Sequence, residues 1–363
     1  MCYKLSLQLS QAPPDGMLHS RRGCNRIGPN LVPNLAVTWL AVTQLESSVT
    51  LDHMKALLNH CEENSPYLLE NEAAYQQWRN HKLENRSRTR PTQVFSLNAS
   101  GLLTDSQLAD VQQHIDAYNF IIFEAPNANF GKREFLALNR QFGLRDLDTN
   151  LGADDDKVTA LHVVGESDRR AQYIPYTNRA MNWHTDGYYN PHVRRINAFA
   201  LYCVNPSARG GGNYLFDHEM MYLLIRDQST ELLEALMHDD LLSIPANVQG
   251  NQVIRAQESG PVFSLQPRSC TLNMRYTSRP HNIVWKKDHC SQRALNLVRE
   301  ILMEGKAMIE IRLQAGQGII CNNILHGREA FQDDPAGPAR LVYRARYHDA
   351  IDLGQGFAAD SRA

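Results

Sequence analysis

The sequence lacks the features that mark several common classes of protein. Its seven cysteines are scattered, with no CxxC pair and none of the short spacings of a zinc module. No stretch approaches the roughly 20 apolar residues that a membrane-spanning helix needs, and the N-terminus lacks the residue order of an export signal. A net charge of −2, from 37 basic and 39 acidic residues, provides no basic surface for nucleic acid or for a membrane. These absences favour a cytoplasmic protein with reduced cysteines and a small-molecule partner, and they leave a homo-oligomer open.

The 363 residues include 43% hydrophobic residues, enough for a substantial core. Residues 1–50 are proline-bearing and show no sustained period, so they are predicted to be a disordered extension, or to precede a true start at Met54. Residues 51–90 are predicted to be an N-terminal helical segment. Residues 91–363 are predicted to form the main domain.

Helical and strand patterns alternate through the main domain. Helices are predicted after Thr104 and at 132–142, 217–226, 229–237 and 291–304. Strands are predicted at 120–123, 196–204, 269–277 and 307–313. Residues 144–180 and 247–251 are predicted to be loops, and long loops of the first kind often act as lids.

One short stretch, MNWHTDGYYN, carries a pair of metal-ligand residues at strand spacing. If it is extended, the side chains of His184 and Asp186 leave the backbone on the same face and can close on one metal ion. His326, in NNILHGREAF, is the best candidate for a third ligand. Each of these residues has an ordinary structural explanation on its own, since an isolated HxD occurs by chance in many proteins.

Two imidazoles and one carboxylate suit iron(II) that binds a chelating co-substrate and then dioxygen, but catalytic zinc also accepts this set. Arg340, in RLVYRARY, narrows the choice, because a guanidinium presents paired donors to a carboxylate. An arginine on the strand after the last ligand is well placed to hold the far end of a dicarboxylic acid chelated at the metal. Arg340 is predicted to share one strand face with Val342, Arg344 and Arg346, which would bring further positive charge inward.

The order of HxD, RGGGNYLF, a distant His and then Arg resembles the taurine dioxygenase/TfdA family of Fe(II)/2-oxoglutarate-dependent dioxygenases, over about the last two thirds of the chain. The resemblance implies a double-stranded β-helix, or jelly-roll, core with flanking helices, an α+β and mainly β fold. It implies Fe(II) held by His184, Asp186 and His326, and 2-oxoglutarate and O2 as co-substrates. The expected reaction is hydroxylation of a small organic substrate, with release of succinate and CO2.

The resemblance also assigns further roles near the metal. Alignment on the Leu-Phe pair puts Tyr214 where the family carries a Thr that contacts 2-oxoglutarate. The second Arg of the family's RxxxR pair, here Arg344, implies an anionic substrate. Candidate substrate contacts beside the first ligand and on or near strands are Asn182, Trp183, Arg275 and Arg279. No catalytic residue is expected beyond the metal centre.

Two alternatives use the same residues differently. A cupin-like hydrolase or isomerase would bind zinc or manganese with the three ligands and would have no use for Arg340. A catalytically silent barrel would bind a small acid or a protein partner. Oxygen consumption would distinguish this barrel from an active enzyme.

Overall fold

The computed structural model describes residues 65–127, 129–149, 156–250, 252–266 and 270–354, which belong to one compact unit, His53–Ala363. The predicted extension at residues 1–50 lies outside the described residues. The fold is mixed α and β and rich in strands. Its helices are α1 (Glu72–Arg88), α2 (Leu108–Tyr118), α3 (Lys132–Gln141), α4 (His218–Gln228), α5 (Thr230–Leu236) and α6 (His289–Glu304).

The strands divide into two main sheets and several short pairs. The first nine are β1 (Val94–Ser96), β2 (Phe120–Glu124), β3 (Thr159–Leu161), β4 (Met181–His184), β5 (Ala198–Asn205), β6 (Arg209–Gly210), β7 (Asn213–Phe216), β8 (Leu242–Ile244) and β9 (Asn247–Gln249). The others are β10 (Gln252–Arg255), β11 (Glu258–Gly260), β12 (Phe263–Leu265), β13 (Leu272–Met274), β14 (Val284–Trp285), β15 (Ile309–Ile311), β16 (Gln317–Asn322), β17 (Leu325–Arg328), β18 (Phe331–Gln332) and β19 (Leu341–Tyr347).

The larger sheet has six strands in the order β1-β2-β16-β5-β19-β3. Its central strand β5 pairs antiparallel with β16 and β19. In the β5/β19 pair, Arg344 lies opposite Leu201 and Arg346 lies opposite Phe199. Because directly paired residues point to the same face of a sheet, both arginines face the side that Leu201 and Phe199 occupy.

The smaller sheet has four strands in the order β15-β7-β17-β4. It packs face to face with the larger sheet through a shared buried cluster. The members of this interior cluster include Phe199, Leu201, Cys203, Leu215, Ile309, Ile311, Cys321 and Val342. His326, Arg344 and Arg346 face the space between these two sheets, because each is paired across a strand with a member of this cluster.

Helices cover the outer faces of both sheets. Val111 of α2 and Phe135 of α3 pack with Phe123 of the larger sheet. Helices α4, α5 and α6 pack with Phe216 and Leu325 of the smaller sheet. Helix α1 joins this second cluster through Tyr75, which is buried, and through Trp78 and Leu83, which are partly buried.

The predicted helices and the four predicted strands each overlap an observed element, whereas most of the short strands were not predicted. The capping box between Thr104 and Gln107 is present and starts the turn that leads into α2. Two loop predictions are wrong in part: residues 144–180 include β3, and residues 247–249 form β9, which pairs with β10 in a hairpin. That hairpin turns at Gly250, whose φ of +60° favours glycine. The prediction missed the hairpin because its polar residues show no alternating pattern that would indicate a strand.

Two predictions made from composition can be compared with the structure. No helix within the described ranges is long and apolar enough to cross a membrane. Cys203, Cys290 and Cys321 carry free thiols, whereas Cys270 is disulfide-bonded, so the prediction of a wholly reduced set is wrong at that position.

Candidate metal centre

The two candidate histidines are neighbours across the smaller sheet. His184 ends β4 and His326 lies in β17, and the two are directly paired in the antiparallel register. His184 Nδ1 lies 2.9 Å from the carbonyl oxygen of Asn182, and His326 Nδ1 lies 3.0 Å from that of Ile324. A carbonyl oxygen can only accept a hydrogen bond, so each Nδ1 carries the hydrogen and each Nε2 presents its lone pair to the interior.

Asp186 completes a cluster of three ligand atoms that all lie within 4.8 Å of one another. Its Oδ1 is 3.9 Å from His184 Nε2. Its Oδ2 is buried and has no hydrogen-bond partner among the described residues. A buried carboxylate oxygen with a free lone pair is costly unless a cation takes it up, so this oxygen fits a metal ligand.

The protonation states suit metal binding. Burial lowers the pKa of His184, although Asp186 opposes this effect. Burial and the neighbouring His184 together lower the pKa of His326 to about 3. Burial alone would raise the pKa of Asp186, but Arg344 and Arg346 outweigh it and hold this pKa well below its usual value. Near neutral pH the cluster therefore offers two neutral imidazoles and one carboxylate.

Asn323 fixes the HxD segment to the strand that delivers His326. Its side-chain oxygen accepts a 2.8 Å hydrogen bond from the Asp186 backbone N–H. Its side-chain nitrogen donates 2.8 Å bonds to the carbonyl oxygens of Asp186 and Ile196. Sequence reasoning missed this residue, although an asparagine three positions before the third ligand was visible in NNILH.

Arg340 is buried on the approach to β19, with 6% of its surface exposed. Its guanidinium carbon lies 4.9 Å from the centre of the Phe331 ring. Its Nη1 is buried and has no hydrogen-bond partner in the described part of the chain. Arg340 lines a cavity together with Ser207, Gly211 and Asn213. Because this Nη1 donor has no acceptor among the described residues, the cavity favours the binding of an anion.

Arg344 and Arg346 reach the centre from the larger sheet. Their Nη1 atoms lie 3.7 Å and 4.0 Å from Asp186 Oδ1. Arg346 also donates hydrogen bonds to Asp148 and to the Tyr189 hydroxyl. Arg344 has no carboxylate other than Asp186 within ion-pair distance in the described residues, and its Nε is buried without a hydrogen-bond partner there. Arg344 and Arg346, which were predicted to share one strand face with Arg340, therefore both lie next to Asp186.

Tyr214 lies away from the Arg340 cavity. Along β7 its neighbour Leu215 faces the interior, so Tyr214 faces the outer side. There its hydroxyl donates a hydrogen bond to the carbonyl oxygen of Met181, and its ring packs on Trp183 at 4.6 Å. Asn213, on the inward side, lines the cavity instead.

The remaining predicted substrate residues do not meet at one point. The Arg275 guanidinium donates to the carbonyl oxygens of Tyr188, Leu242 and Glu258, at 2.7, 3.1 and 3.2 Å, so its donors serve the backbone. Arg279 is exposed and donates a 3.0 Å hydrogen bond to the Tyr188 hydroxyl.

The two residues before His184 differ in exposure. Asn182 is exposed, whereas Trp183 packs against the cluster that helices α4, α5 and α6 form with the smaller sheet. Neither of them lines the cavity of Arg340.

Known proteins resemble this chain in sequence. The family model described as taurine catabolism dioxygenase TauD, TfdA family, matches residues 83–346. Uridine-5'-phosphate dioxygenase from a Streptomyces species is 30% identical over 270 residues, which are 70% of this chain and 95% of that protein.

Solved structures of the non-heme iron oxygenase OrfP resemble the fold. The complex with Fe, succinate and (3S)-hydroxy-L-Arg has a TM-score of 0.53 at 13% identity and covers 75% of this chain and 98% of that one. A point mutant of OrfP in complex with (3S)-hydroxy-L-Arg has a TM-score of 0.52 at 14% identity, with 70% and 94% covered. At these identities the likeness concerns the fold alone.

Proposed function

The chain belongs to the TauD/TfdA family and is an Fe(II)- and 2-oxoglutarate-dependent dioxygenase, and we propose which of its residues hold each reactant and what kind of substrate it oxidises. His184, Asp186 and His326 are proposed to hold Fe(II). Arg340 is proposed to hold the distal carboxylate of the 2-oxoglutarate co-substrate. Arg344 is proposed to hold an anionic group of the substrate.

The chemistry of the donor set supports the metal assignment. The two Nε2 lone pairs and the free Asp186 Oδ2 lie on one side of the interior, and two His and one carboxylate leave further coordination positions open for a chelating co-substrate and O2. Asn323 fixes the main chain at Asp186, while the ring of Phe199, with its centre 4.3 Å from that of His326, keeps water from one side of this ligand.

The buried Arg340 Nη1 is the observation that carries the co-substrate assignment. A guanidinium donor removed from water needs an acceptor, and a carboxylate satisfies it best. Asn213 and Ser207 line the same cavity, so we propose that Asn213, rather than Tyr214, lies next to bound 2-oxoglutarate. Burial lowers the pKa of Arg340, as expected for a cation whose counter-ion is a ligand.

The chain's own residues bind and orient, and the bound groups supply the oxidation. With Fe(II), 2-oxoglutarate and O2 present, the centre couples the decarboxylation that converts 2-oxoglutarate to succinate with insertion of one oxygen atom into a substrate C–H bond. The second oxygen atom enters succinate, so substrate, O2 and 2-oxoglutarate give hydroxylated substrate, succinate and CO2. Holding the reactants at fixed positions in a water-poor interior is the contribution of the protein.

The charge balance around the centre supports an anionic substrate. Arg346 has Asp148 as its own counter-ion, and Arg340 is assigned to 2-oxoglutarate. Within the described ranges, Asp186 is the one carboxylate at ion-pair distance from Arg344, and its charge is committed to the proposed metal. A carboxylate or phosphate on the substrate would neutralise Arg344. Because a relative is named for its action on uridine-5'-phosphate, we propose nucleoside 5'-monophosphates as the first class of substrate to test.

The two facing sheets also support the predicted double-stranded β-helix. The ligands come from β4 and β17 of the smaller sheet and from the segment after β4, while Arg344 and Arg346 come from β19 of the larger sheet. Strands distant in sequence alternate within each sheet, as in a jelly roll. We therefore propose this architecture for residues 91–363.

Succinate formation tests the proposal. With Fe(II), 2-oxoglutarate and O2, we expect uridine-5'-phosphate or another nucleoside monophosphate to stimulate succinate production. Arg344→Gln should raise KM for the anionic substrate, because a charged hydrogen bond is lost, and should leave KM for the co-substrate unchanged. Arg293→Gln, an exposed arginine of α6, is the control. Equal KM values for the substrate in wild type and Arg344→Gln would contradict the role of Arg344.

A further inference from the structure

Helix α1 carries a lysine into the protein core. The side chain of Lys82 is 1% exposed, and its Nζ lies 2.8 Å from Asp217 Oδ2 and 2.6 Å from Glu219 Oε2. Arg86, one turn further along, lies 3.5 Å from Asp217 Oδ2. Two cations thus face two carboxylates at the junction between β7 and α4.

Replacing such a cluster as a whole by well-packed apolar side chains often leaves stability unchanged or raises it, because burying charges costs free energy even when they are paired. The charges remain ionised: burial alone would lower the pKa of Lys82, but Asp217 and Glu219 outweigh it and raise this pKa. Such a cluster is better explained by the fixed geometry it imposes on its partners than by stability alone.

The carboxylates of Asp217 and Glu219 also bind Asn119, the residue that follows α2. Asn119 donates hydrogen bonds from its side-chain nitrogen to Asp217 at 2.9 Å and to Glu219 at 2.8 Å. Asn119 ends α2 with a left-handed φ of 61°, which directs its side chain back toward the cluster. Its own side-chain oxygen then accepts a 2.8 Å hydrogen bond from Asn322, whose backbone N–H also donates to the Asn119 carbonyl oxygen at 3.0 Å.

Asn322 and Asn323 are adjacent at the end of β16, and their side chains form hydrogen bonds with two different segments of the chain. Asn322 is held by Asn119, and Asn323 holds the backbone of Asp186. His326 follows three residues later on the same chain segment. Hydrogen bonds, joined by the peptide link between Asn322 and Asn323, therefore connect the buried charge cluster to the segment that presents His184 and Asp186.

We propose that Lys82 and Asn119 are positioning residues for the metal centre, so that helix α1 is part of the active-site scaffold. This rests on the proposed metal site. The family match begins at residue 83, so Lys82 and most of the helix surface that packs on α4 lie before it. Without the Asn119 amide, Asn322 keeps its backbone bonds and the 3.1 Å hydrogen bond that its side-chain oxygen accepts from Ile351 N–H, but it loses the bond that its side-chain nitrogen donates. The distance between Asp186 and His326 then becomes less fixed.

The test is Fe(II) affinity, measured anaerobically with and without 2-oxoglutarate, beside the melting temperature of the metal-free protein. Asn119→Gly removes the amide but keeps the left-handed backbone, which glycine adopts freely. We expect its Fe(II) affinity to fall about tenfold or more, as for other residues that orient ligands. Lys82→Met should act in the same direction.

Arg79→Gln is the matched control, because Arg79 ties the same helix to Asp227 of α4 but has no link to Asn322. It should lower the melting temperature while leaving Fe(II) affinity within about twofold, since it does not touch the ligand segment. Wild-type Fe(II) affinity in Asn119→Gly would overturn the positioning role, whatever its melting temperature. Absence of Fe(II) binding in wild type would instead overturn the metal site itself.

Discussion

His184 and His326 face each other across an antiparallel strand pair, with their ring centres 4.3 Å apart. The register of two short strands therefore creates the centre from residues at distant points of the sequence. Small changes in this register would move both ligands at once, since a slip of one residue turns each side chain to the opposite face.

Replacing a ligand should abolish metal binding. In His326→Ala or Asp186→Ala, only two donors remain, so we expect no measurable Fe(II) retention at micromolar metal. His289→Ala, an exposed histidine at the start of α6, should bind as wild type does. Isothermal titration under anaerobic conditions makes this measurement, and wild-type binding by either ligand variant would remove that residue from the centre.

An added methyl group at Gly327 should disturb the ligand strands. A Cβ there would lie 2.0 Å from the Tyr214 ring and 2.6 Å from the Met181 carbonyl oxygen, so the strands must separate beside His326. We expect Gly327→Ala to lose about 1–3 kcal/mol of unfolding free energy, typical of overpacking, and to bind Fe(II) more weakly. Gly165→Ala, where a Cβ meets nothing within 4 Å, is the control. Unchanged stability and affinity in Gly327→Ala would contradict the close strand contact.

Phe331 should affect the binding of the co-substrate and not that of the substrate. Its ring is buried, and the guanidinium carbons of Arg328 and Arg340 lie 4.8 and 4.9 Å from the ring centre. Phe331→Leu should raise KM for the co-substrate, 2-oxoglutarate, about fivefold, or ~1 kcal/mol, as a cation–π contact is lost. Phe263→Leu, a buried phenylalanine in the cluster beneath the helices, controls for lost packing. A change confined to KM for the substrate would contradict this role.

Acid should destabilise the metal-free protein below about pH 6.5, the usual imidazole pKa. His184 and His326 have lowered pKa values when folded, so below pH 6.5 the unfolded chain takes up protons that the folded chain does not. Stability is then complete above this pH and falls as the pH decreases, by up to about 1.4 kcal/mol per pH unit for each histidine. For His326 the loss continues until the pH reaches about 3.

Urea unfolding of metal-free protein at pH 7 and pH 5 measures this effect. His326→Gln removes one of the two titrating groups, so its loss of stability over this range should be smaller than that of wild type. His289→Gln should behave as wild type. Identical losses in His326→Gln and wild type would contradict the burial of an uncharged imidazole.

The three predicted ligands lie together in the structure, whereas the residues around them were harder to identify from the sequence. His184, Asp186, His326 and Arg340 carry chemistry that a strand period or a fixed order makes visible. Tyr214 shows where prediction by alignment failed. Alignment on the Leu-Phe pair selected Tyr214, but the inward-facing residue is Asn213, one position earlier, and a shift of one residue along a strand moves the side chain to the opposite face.

The supporting residues were less visible. Asn323 acts through side-chain bonds to backbone atoms of a distant segment, which no local pattern encodes. The Lys82 cluster was also not visible in the sequence, because charged residues on a helix usually indicate a solvated face. Only the packing of α1 on α4 brings Asp217 and Glu219 next to Lys82.

Anaerobic addition of Fe(II) and then 2-oxoglutarate tests the co-substrate site at Arg340 through the weak visible charge-transfer band of the chelate. We expect the band in wild type and in Arg344→Gln, whereas Arg340→Gln should need about tenfold or more 2-oxoglutarate to reach it, since one charged hydrogen-bonding partner is lost. Absence of the band in iron-loaded wild-type protein, or a wild-type response in Arg340→Gln, would contradict the proposed co-substrate site.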